Sequence, residues 1–574
     1  MQPCDLTTLV AACAELERGW LPARLEQVYQ VDKHTVLLHL RTLEQRGWLA
    51  LSWHPQAARL AWADPPPRQP DTFTFSQQLW HQLGNLALTE LRFLDPWERV
   101  VALGFSRRPA DPPQAYLYVE VMGRYSNVIL TDATGTIITC AHQVSAQESR
   151  VRPLLTGEPY QPPPALTQRI PTLSESLIAW RDQVALIPQP LGKALLGAYR
   201  GLSTALVQAM TQAAGLDATT TTPDLTPVEW THLYTCWQTW LTCVQQRDFQ
   251  PGWTPSGYTV LGWGITRPAA SVHDLLRAYY IERLQHQATQ HLHQQLSQKV
   301  SHHLLKLHQK RETFQLRLAE ADRAHHTSAQ ADLLMAHPQV RTLGFTQIEL
   351  PDFHTGRPVA IPLNPDKTAI QNAQALYKRA QKLKRAHQAV QPLLAQVEAE
   401  RYYWEQLDTA LQDLCDTADL ALLQDIQEEL RAQGHLPTPP GWRKPSDKTD
   451  KSGDSPHFLH YTSPNGHPIL VGRNNRQNEI LTFRLATDYD LWFHTLEIPG
   501  SHVLLRLPPG RPAEDSDLQT AAHIAAYHSR ARHSQQVPVV YTRPSHVHRP
   551  RGNPPGLVTY QRETLIWGRP SACP

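Results

Sequence analysis

Cysteine is scarce in this chain and never closely paired. Seven are spread over 574 residues (Cys4, Cys13, Cys140, Cys236, Cys243, Cys415, Cys573) with no C-x-x-C spacing. That dispersal argues against a disulfide framework and against a zinc site, and fits a reducing compartment. Long apolar runs are missing too: no stretch approaches the roughly 18 residues a spanning helix needs. The first residues, MQPCDLTTLVAACAEL, lack a basic n-region and carry Asp5 and Glu15, so they predict an amphipathic helix and not a signal peptide. Nor is there an excess of charge of one sign. With a net charge of +2, a polyanionic partner has to be met by local basic surface. Together these absences predict a cytoplasmic protein with no membrane partner, no metal and no cofactor.

What is present divides the chain. At 574 residues it is too long for one core and predicts three to five domains. Residues 1–165 predict an α+β domain: the opening helix, then TVLLHLRTL, WLALSW, YLYVEV and NVILTD, which alternate with the period of half-buried strands. Proline clusters DPPPRQP (64–70) and YQPPP (160–164) punctuate it. Residues 170–250 are Leu- and Ala-rich, and the glycines of GKALLGAYRGLSTALVQAM are placed to join two helices. A helix-hairpin-helix unit and a plain helical bundle both fit that pattern. In 265–435, Val300, Leu304, Leu307, Phe314 and Leu318, then Leu376, Ala380, Leu383, Val390, Leu394, Val397 and Trp404, keep a 4-3 spacing on either side of a β-rich insert. This predicts a long antiparallel coiled-coil arm, on the order of 70 Å, with a small tip, and a kink at Pro392. Residues 436–456 form a polar linker, and 457–574 a compact α/β domain.

The stretch DLWFHTLEIPGSHVLLR (490–506) holds Asp490, His494, Ser501 and His502. A serine nucleophile of the G-x-S-x-G kind is not encoded, because Ser501 follows Gly500 directly and enters an apolar strand. The C-terminal domain offers cationic and planar chemistry instead. VGRNNRQNE (471–479) supplies Arg473, Asn474, Asn475 and Arg476. Trp492, His494 and His502 add flat faces, and residues 541–570 carry Arg543, Arg549, Arg551, Arg562 and Arg569 against one acid, Glu563. Basic residues interleaved with rings suit RNA, where guanidinium groups and rings stack on bases while charges follow the backbone.

NGHPILVGRNNRQNEILTFRLATDYDLWFHTLEIPGSHVLLR and VVYTRPSHVHRPRGNPPGLVTYQRETLIWGRP resemble the RNA-binding domain of the NFACT family. VEVMGRYSNVILTD (119–132), RPLLTGEPYQPPP (152–164) and LNPDKTAIQNAQALYKRAQKLKRA (363–386) are similar to its other modules. The resemblance implies a glycosylase-like N-terminal domain, a helix-hairpin-helix domain, a coiled coil with a middle insert, and an RNA-binding domain. It also implies a role in ribosome-associated quality control. Such a protein binds stalled large ribosomal subunits (rRNA) that carry nascent peptidyl-tRNA, recruits tRNA, alanyl-tRNA above all, and promotes template-free alanine tailing. The ribosome's own centre forms the bond, so the protein is not itself an enzyme. By the same resemblance Asp5, Glu98, Arg99, Arg124 and Asn127 are expected at tRNA. The family's Asp-Arg pair stands here as Glu98-Arg99, one methylene longer on the acid, which leaves open a tRNA- and ribosome-binding protein without tailing. Two other readings have less behind them. A glycosylase of the related fold needs a proline at position 2 and a zinc finger, where this chain has Gln2 and no cysteine pair. A surface adhesin needs export.

Overall fold

A computed structural model describes residues 2–574 apart from 146, 150, 338, 341, 354, 415–418, 439–457 and 551–554. The described residues divide into two units, 1–285 and 286–574. Arg551 and nearly all of the predicted linker lie outside the described residues.

The first unit opens with α1 (Leu6–Trp20), whose buried Leu9, Cys13 and Leu16 recur at helical spacing. Strands β1 (Ala23–Asp32), β2 (Thr35–Arg41), β3 (Arg46–Ser52) and β4 (Arg59–Ala63) follow, then α2 (Thr74–Leu83). Next come β5 (Ala87–Phe93), β6 (Val100–Ser106), β7 (Ala115–Glu120), β8 (Asn127–Asp132) and β9 (Ile137–Cys140). All nine form one antiparallel sheet, ordered β4-β3-β2-β1-β5-β6-β7-β8-β9. The strands expected from alternation are β2, β3, β7 and β8. Every residue of β6 is buried, because both faces of this half of the sheet are covered. One face joins the main core. On the other, Leu154 and Tyr160 pack against Tyr118, Ile129 and Ile137. The RPLLTGEPY stretch is thus a lid on the sheet, fastened where Arg152 Nη1 donates to Glu120 Oε2 (3.0 Å), Nη2 to Oε1, and Tyr160 Oη to Oε1 (2.8 Å).

Helices α3 (Leu177–Val184), α4 (Leu191–Ala198), α5 (Thr204–Ala213) and α6 (Pro227–Gln246) come next. A three-stranded sheet of β10 (Gly252–Thr254), β11 (Gly257–Thr259) and β12 (Arg267–Pro268) follows them. Trp180, Trp237 and Trp240 belong to the same hydrophobic core as Leu9 and Leu103, so packing continues past the proline cluster at 160–164. Gly201 turns the chain between α4 and α5 with φ +79°, and a Cβ there would come within 2.8 Å of Trp97 and 2.9 Å of Leu6. Only glycine satisfies both conditions.

Helix α7 (Val272–Ala321) is 50 residues long; α8 (Ala324–Ala336), the hairpin β13 (Gln347–Pro351)–β14 (Pro358–Pro362) and α9 (Ala369–Leu414) succeed it. Cross-contacts fix the direction of α9 against α7. His293 bonds the Leu411 carbonyl, His303 stacks on Trp404, Arg311 pairs with Glu398 and His387 with Asp322. Positions rise on one helix as they fall on the other, so the two run antiparallel. Val300, Leu307, Val397 and Trp404 are buried between them with residues of α10 (Leu420–Ala432), and Pro392 sits inside α9 without ending it. The tip has its own small core, in which Leu334, Leu350, Ile361 and Leu376 meet.

The C-terminal part contains β15 (Leu459–Thr462), β16 (Pro468–Val471), α11 (Asn475–Ile480), β17 (Leu491–Thr495), β18 (Val503–Leu505) and α12 (Asp515–Tyr527). It ends with β19 (Val537–Thr542), the short pair β20 (Val547–His548)–β21 (Thr559–Tyr560) and β22 (Thr564–Gly568). The sheet is antiparallel in the order β15-β16-β18-β17-β19-β22. Phe493 and Val503 face α12, while Trp492, Leu504 and Val540 form a second core on the opposite face. Among the described residues no helix is long and apolar enough to cross a membrane.

Candidate nucleic-acid interface

Asp5 is buried and bonded within the protein. It caps α1 by accepting from the Thr8 amide at 2.9 Å, and its other oxygen accepts from the Ser203 hydroxyl at 2.6 Å. Ser203 in turn caps α5. The close approach at Gly201 therefore locks the α4–α5 turn onto the start of α1. Arg99 lies within electrostatic reach of the buried Cys4 thiol, whose pKa is pushed far up, chiefly by burial and then by Asp5. Arg59, on the same side, donates to the Ala57 carbonyl at 2.9 Å and lies over the Tyr280 ring at 4.9 Å. Arg99 is half-buried and, among the described residues, makes no side-chain hydrogen bond or ion pair. Glu98, also half-buried, accepts weakly from the Leu166 amide at 3.3 Å.

Arg124 and Asn127 flank one turn but differ in what they offer. Arg124 is exposed and stacks over the Tyr125 ring at 4.6 Å, and Tyr125 is itself 66% exposed. A guanidinium lying on an accessible ring is a ready platform for a base or a phosphate. Asn127 is buried. Its Oδ1 accepts from the Val128 and His142 amides, and its Nδ2 donates to the His142 carbonyl at 2.7 Å. Of those three hydrogen bonds, the two to His142 pin β8 to the chain beyond β9.

In the C-terminal part, the VGRNNRQNE cluster faces acids of α10 and its N-cap. Arg473 pairs with Asp419 at 2.9 Å, Arg476 with Asp425 at 3.3 Å, and Asn475 Nδ2 donates to Glu429 at 3.0 Å. Asn474 caps α11 by accepting from the Gln477 amide. The same seam includes Arg530 with Glu405 at 2.6 Å, and His528 and Arg532 with Asp413. Trp492 is inside the second core, its Nε1 donating to Thr482. His494 and His502 are buried as well. Burial lowers the pKa of His494 to about 4 and holds that of His502 well below its ordinary value, so both are neutral at ordinary pH. Among the described residues no hydrogen bond joins Asp490, Ser501 and the two histidines. Asp490 instead accepts from the Thr487 and Leu507 amides and pairs with Arg506. No group of three or more His, Cys, Asp or Glu among the described residues could hold a metal ion.

Residues 5–449 match the model of the NFACT N-terminal and middle domains, and 457–561 match that of the NFACT protein RNA binding domain. The chain belongs to the NFACT family. Among curated NFACT proteins, "Rqc2 homolog RqcH" of Bacillus subtilis (strain 168) is 30% identical, covering 97% of this chain and 96% of its own length. The protein of that name from Streptococcus suis is 28% identical over 96% and 95%. Among solved structures, the C-terminal part of the fibronectin/fibrinogen-binding protein from Streptococcus suis covers 49% of this chain and 94% of its own, with 28% identity and a TM-score of 0.35.

In the C-terminal part, within the NFACT RNA-binding match and in the residues just after it, the exposed cations and rings are not all those the sequence singles out. Arg543 is exposed with no side-chain partner among the described residues, and Arg549, also exposed, pairs with Glu479. Trp567 and Leu565, each 52% exposed, lie on one face of the edge strand β22, whose Ile566 turns into the α12 core. Arg562 and Arg569 flank them. The signal for Trp567 was the period-2 alternation of TLIWG, which says that Ile566 and Trp567 face opposite ways but not which face stays open.

Proposed function

We propose that this NFACT protein is a cytoplasmic ribosome-associated quality-control factor. It binds the rRNA of a large ribosomal subunit that still carries peptidyl-tRNA, recruits tRNA, alanyl-tRNA above all, and promotes template-free C-terminal alanine tailing. The peptide bond forms in the ribosome, and this chain supplies position. The observation that carries the reading is the end-to-end similarity to proteins named Rqc2 homolog RqcH, at 97% coverage of this chain. Local chemistry supports it: the unpaired guanidinium of Arg99, the exposed Arg124–Tyr125 stack, and the arginines around the exposed Trp567. In this reading Arg99 and Arg124 contact tRNA, with Asp5 and Asn127 holding the surfaces that present them. Arg543 and Arg549 meet RNA directly, whereas Arg473 and Arg476 act through the seam with α9 and α10.

A grip of this kind weakens steeply with salt, because each phosphate neutralised releases a counterion. Co-sedimentation with large subunits on sucrose gradients at two salt concentrations is the test, with mass spectrometry of the nascent chains to detect alanine tails. Absence from the subunit fractions at low salt defeats the proposal. Co-sedimentation without tails retains the binding role and removes the tailing role.

A further inference from the structure

A cavity of about 380 Å³ opens between α9 and the C-terminal sheet, in the range that takes a small organic ligand. Its walls include Tyr402 and Gln406 of α9, His494, His502 and Tyr560, with Glu497 the only charged residue among the described ones that line it. Two buried polar atoms on these walls have no hydrogen-bond partner, Gln406 Oε1 and His502 Nε2. Gln406 is 5% exposed and His502 not at all. Such atoms are costly unless something in the cavity meets them. The Gln406 side chain lies against the Tyr402 hydroxyl, and the Gly556 carbonyl beside His502 falls outside ordinary hydrogen-bond geometry.

The chemistry of the missing partner follows from these walls. Thr482 Oγ1 accepts from Trp492 Nε1 and lies 2.7 Å from His502 Nδ1. Assigning the Thr482 proton to Nδ1 puts the N–H of the neutral ring on Nε2, the tautomer that suits the Gly556 carbonyl beside this ring. Gln406 Oε1 is an acceptor. One donor and one acceptor, with two tyrosine rings and no Lys or Arg among the described lining residues, do not suit a phosphate. They suit a flat, neutral heterocycle that carries an acceptor next to an N–H. Every nucleobase presents such an edge. Glu497 at the lining takes φ +56°, a conformation non-glycine residues adopt at functional and strained positions more than elsewhere.

We infer that this cavity receives one base extruded from single-stranded RNA, held between the Tyr402 and Tyr560 rings and read by Gln406 and His502. The inference rests on the RNA-binding function proposed above and adds where one nucleotide goes.

The test uses the full-length protein and fluorescein-labelled ten-nucleotide RNAs at one salt concentration: oligo(A), oligo(U), oligo(C) and an abasic oligomer of equal charge. Anisotropy should show base-bearing RNA binding about tenfold tighter than abasic RNA, as expected for one stacked base. Gln406→Met and Tyr560→Leu should each remove most of that difference while the salt dependence stays the same, and ultraviolet cross-linking should join RNA to the Tyr402 or Tyr560 peptide. Two variants are used so that a folding defect in one, seen by circular dichroism, leaves the other to decide. Equal binding of abasic and base-bearing RNA overturns the base pocket and leaves RNA binding intact. Calorimetric binding of AMP alone that Gln406→Met abolishes, with oligonucleotide binding unchanged, also overturns it, in favour of a free nucleotide. No binding to any oligomer or to ribosomes overturns the proposed function beneath it.

Discussion

Glu429 tests the seam between α10 and the RNA-binding domain through the sign of a pH effect. Its Oε1 accepts from Tyr403 Oη at 2.9 Å and from Asn475 Nδ2 at 3.0 Å. Burial raises its pKa from 4.5 to about 7, against the opposing pull of those two hydrogen bonds. Between these pH values the unfolded chain has lost a proton that the folded protein keeps. The contribution of Glu429 to stability is therefore most favourable below pH 4.5, declines as pH rises to 7, and is constant above. The full span is about 3 kcal/mol, since one pH unit of pKa displacement corresponds to about 1.36 kcal/mol. Glu429→Gln keeps an acceptor oxygen for Tyr403 and Asn475 and cannot ionise. The variant should be more stable than the parent by up to about 3 kcal/mol at pH 8, and by little at pH 4.5. Calorimetric unfolding of the full chain at both pH values reads the difference. A variant less stable at pH 8 would refute the reasoning, since it would mean that the ionised carboxylate is rewarded in that seam. An equal gain at both values would show that ionisation is irrelevant there.

Glu120→Gln leaves the Arg152 guanidinium, 13% exposed, without its carboxylate. It should cost about 3–5 kcal/mol in thermal unfolding and expose 152–164 to proteolysis. Replacing both partners by apolar residues should recover much of the loss. Asn127→Ala strands the buried Val128 amide, an orphan that costs about 1–3 kcal/mol, while the amide of the exposed His142 can turn to water. RNA affinity measured on the folded fraction should stay unchanged, and a drop there would make Asn127 a direct contact. Arg99→Ala removes no internal partner, so the melting temperature should hold while tRNA recovered with the purified protein falls several-fold. A loss of stability without loss of tRNA would give Arg99 a packing role only.

Much of the architecture was legible in local periodicity. Strands β2, β3, β7 and β8 follow the alternation of TVLLHLR, RGWLALS, AYLYVE and NVILTD, and Val300, Leu307, Val397 and Trp404 meet where their spacing puts them. Alternation also says that Trp492 and Phe493 face opposite sides of β17. It does not say that both sides are covered, and Trp492 is buried because 481–486 and 558–560 close the second face. The cations of VGRNNRQNE are equally plain in the sequence. Their partners are not, since Asp419 and Asp425 come from 54 and 51 residues earlier in the chain. Asp5 illustrates the same limit: its cap on Thr8 is local and readable, whereas Ser203 reaches it from 198 residues away. The cavity beside Gln406 and His502 has no local signature, because its walls come from separate stretches of chain.

The seam of carboxylates against Arg473, Arg476, Arg530 and Arg532 alters what an ionic-strength titration counts. An arginine already matched by a carboxylate of its own chain displaces no condensed sodium when nucleic acid arrives. If the seam stays shut, the log–log slope for single-stranded RNA should be shallower by about 3 than a tally of basic residues suggests, at roughly 0.7 for each phosphate neutralised. A steeper slope would mean that nucleic acid pries the four guanidinium groups from their internal acids.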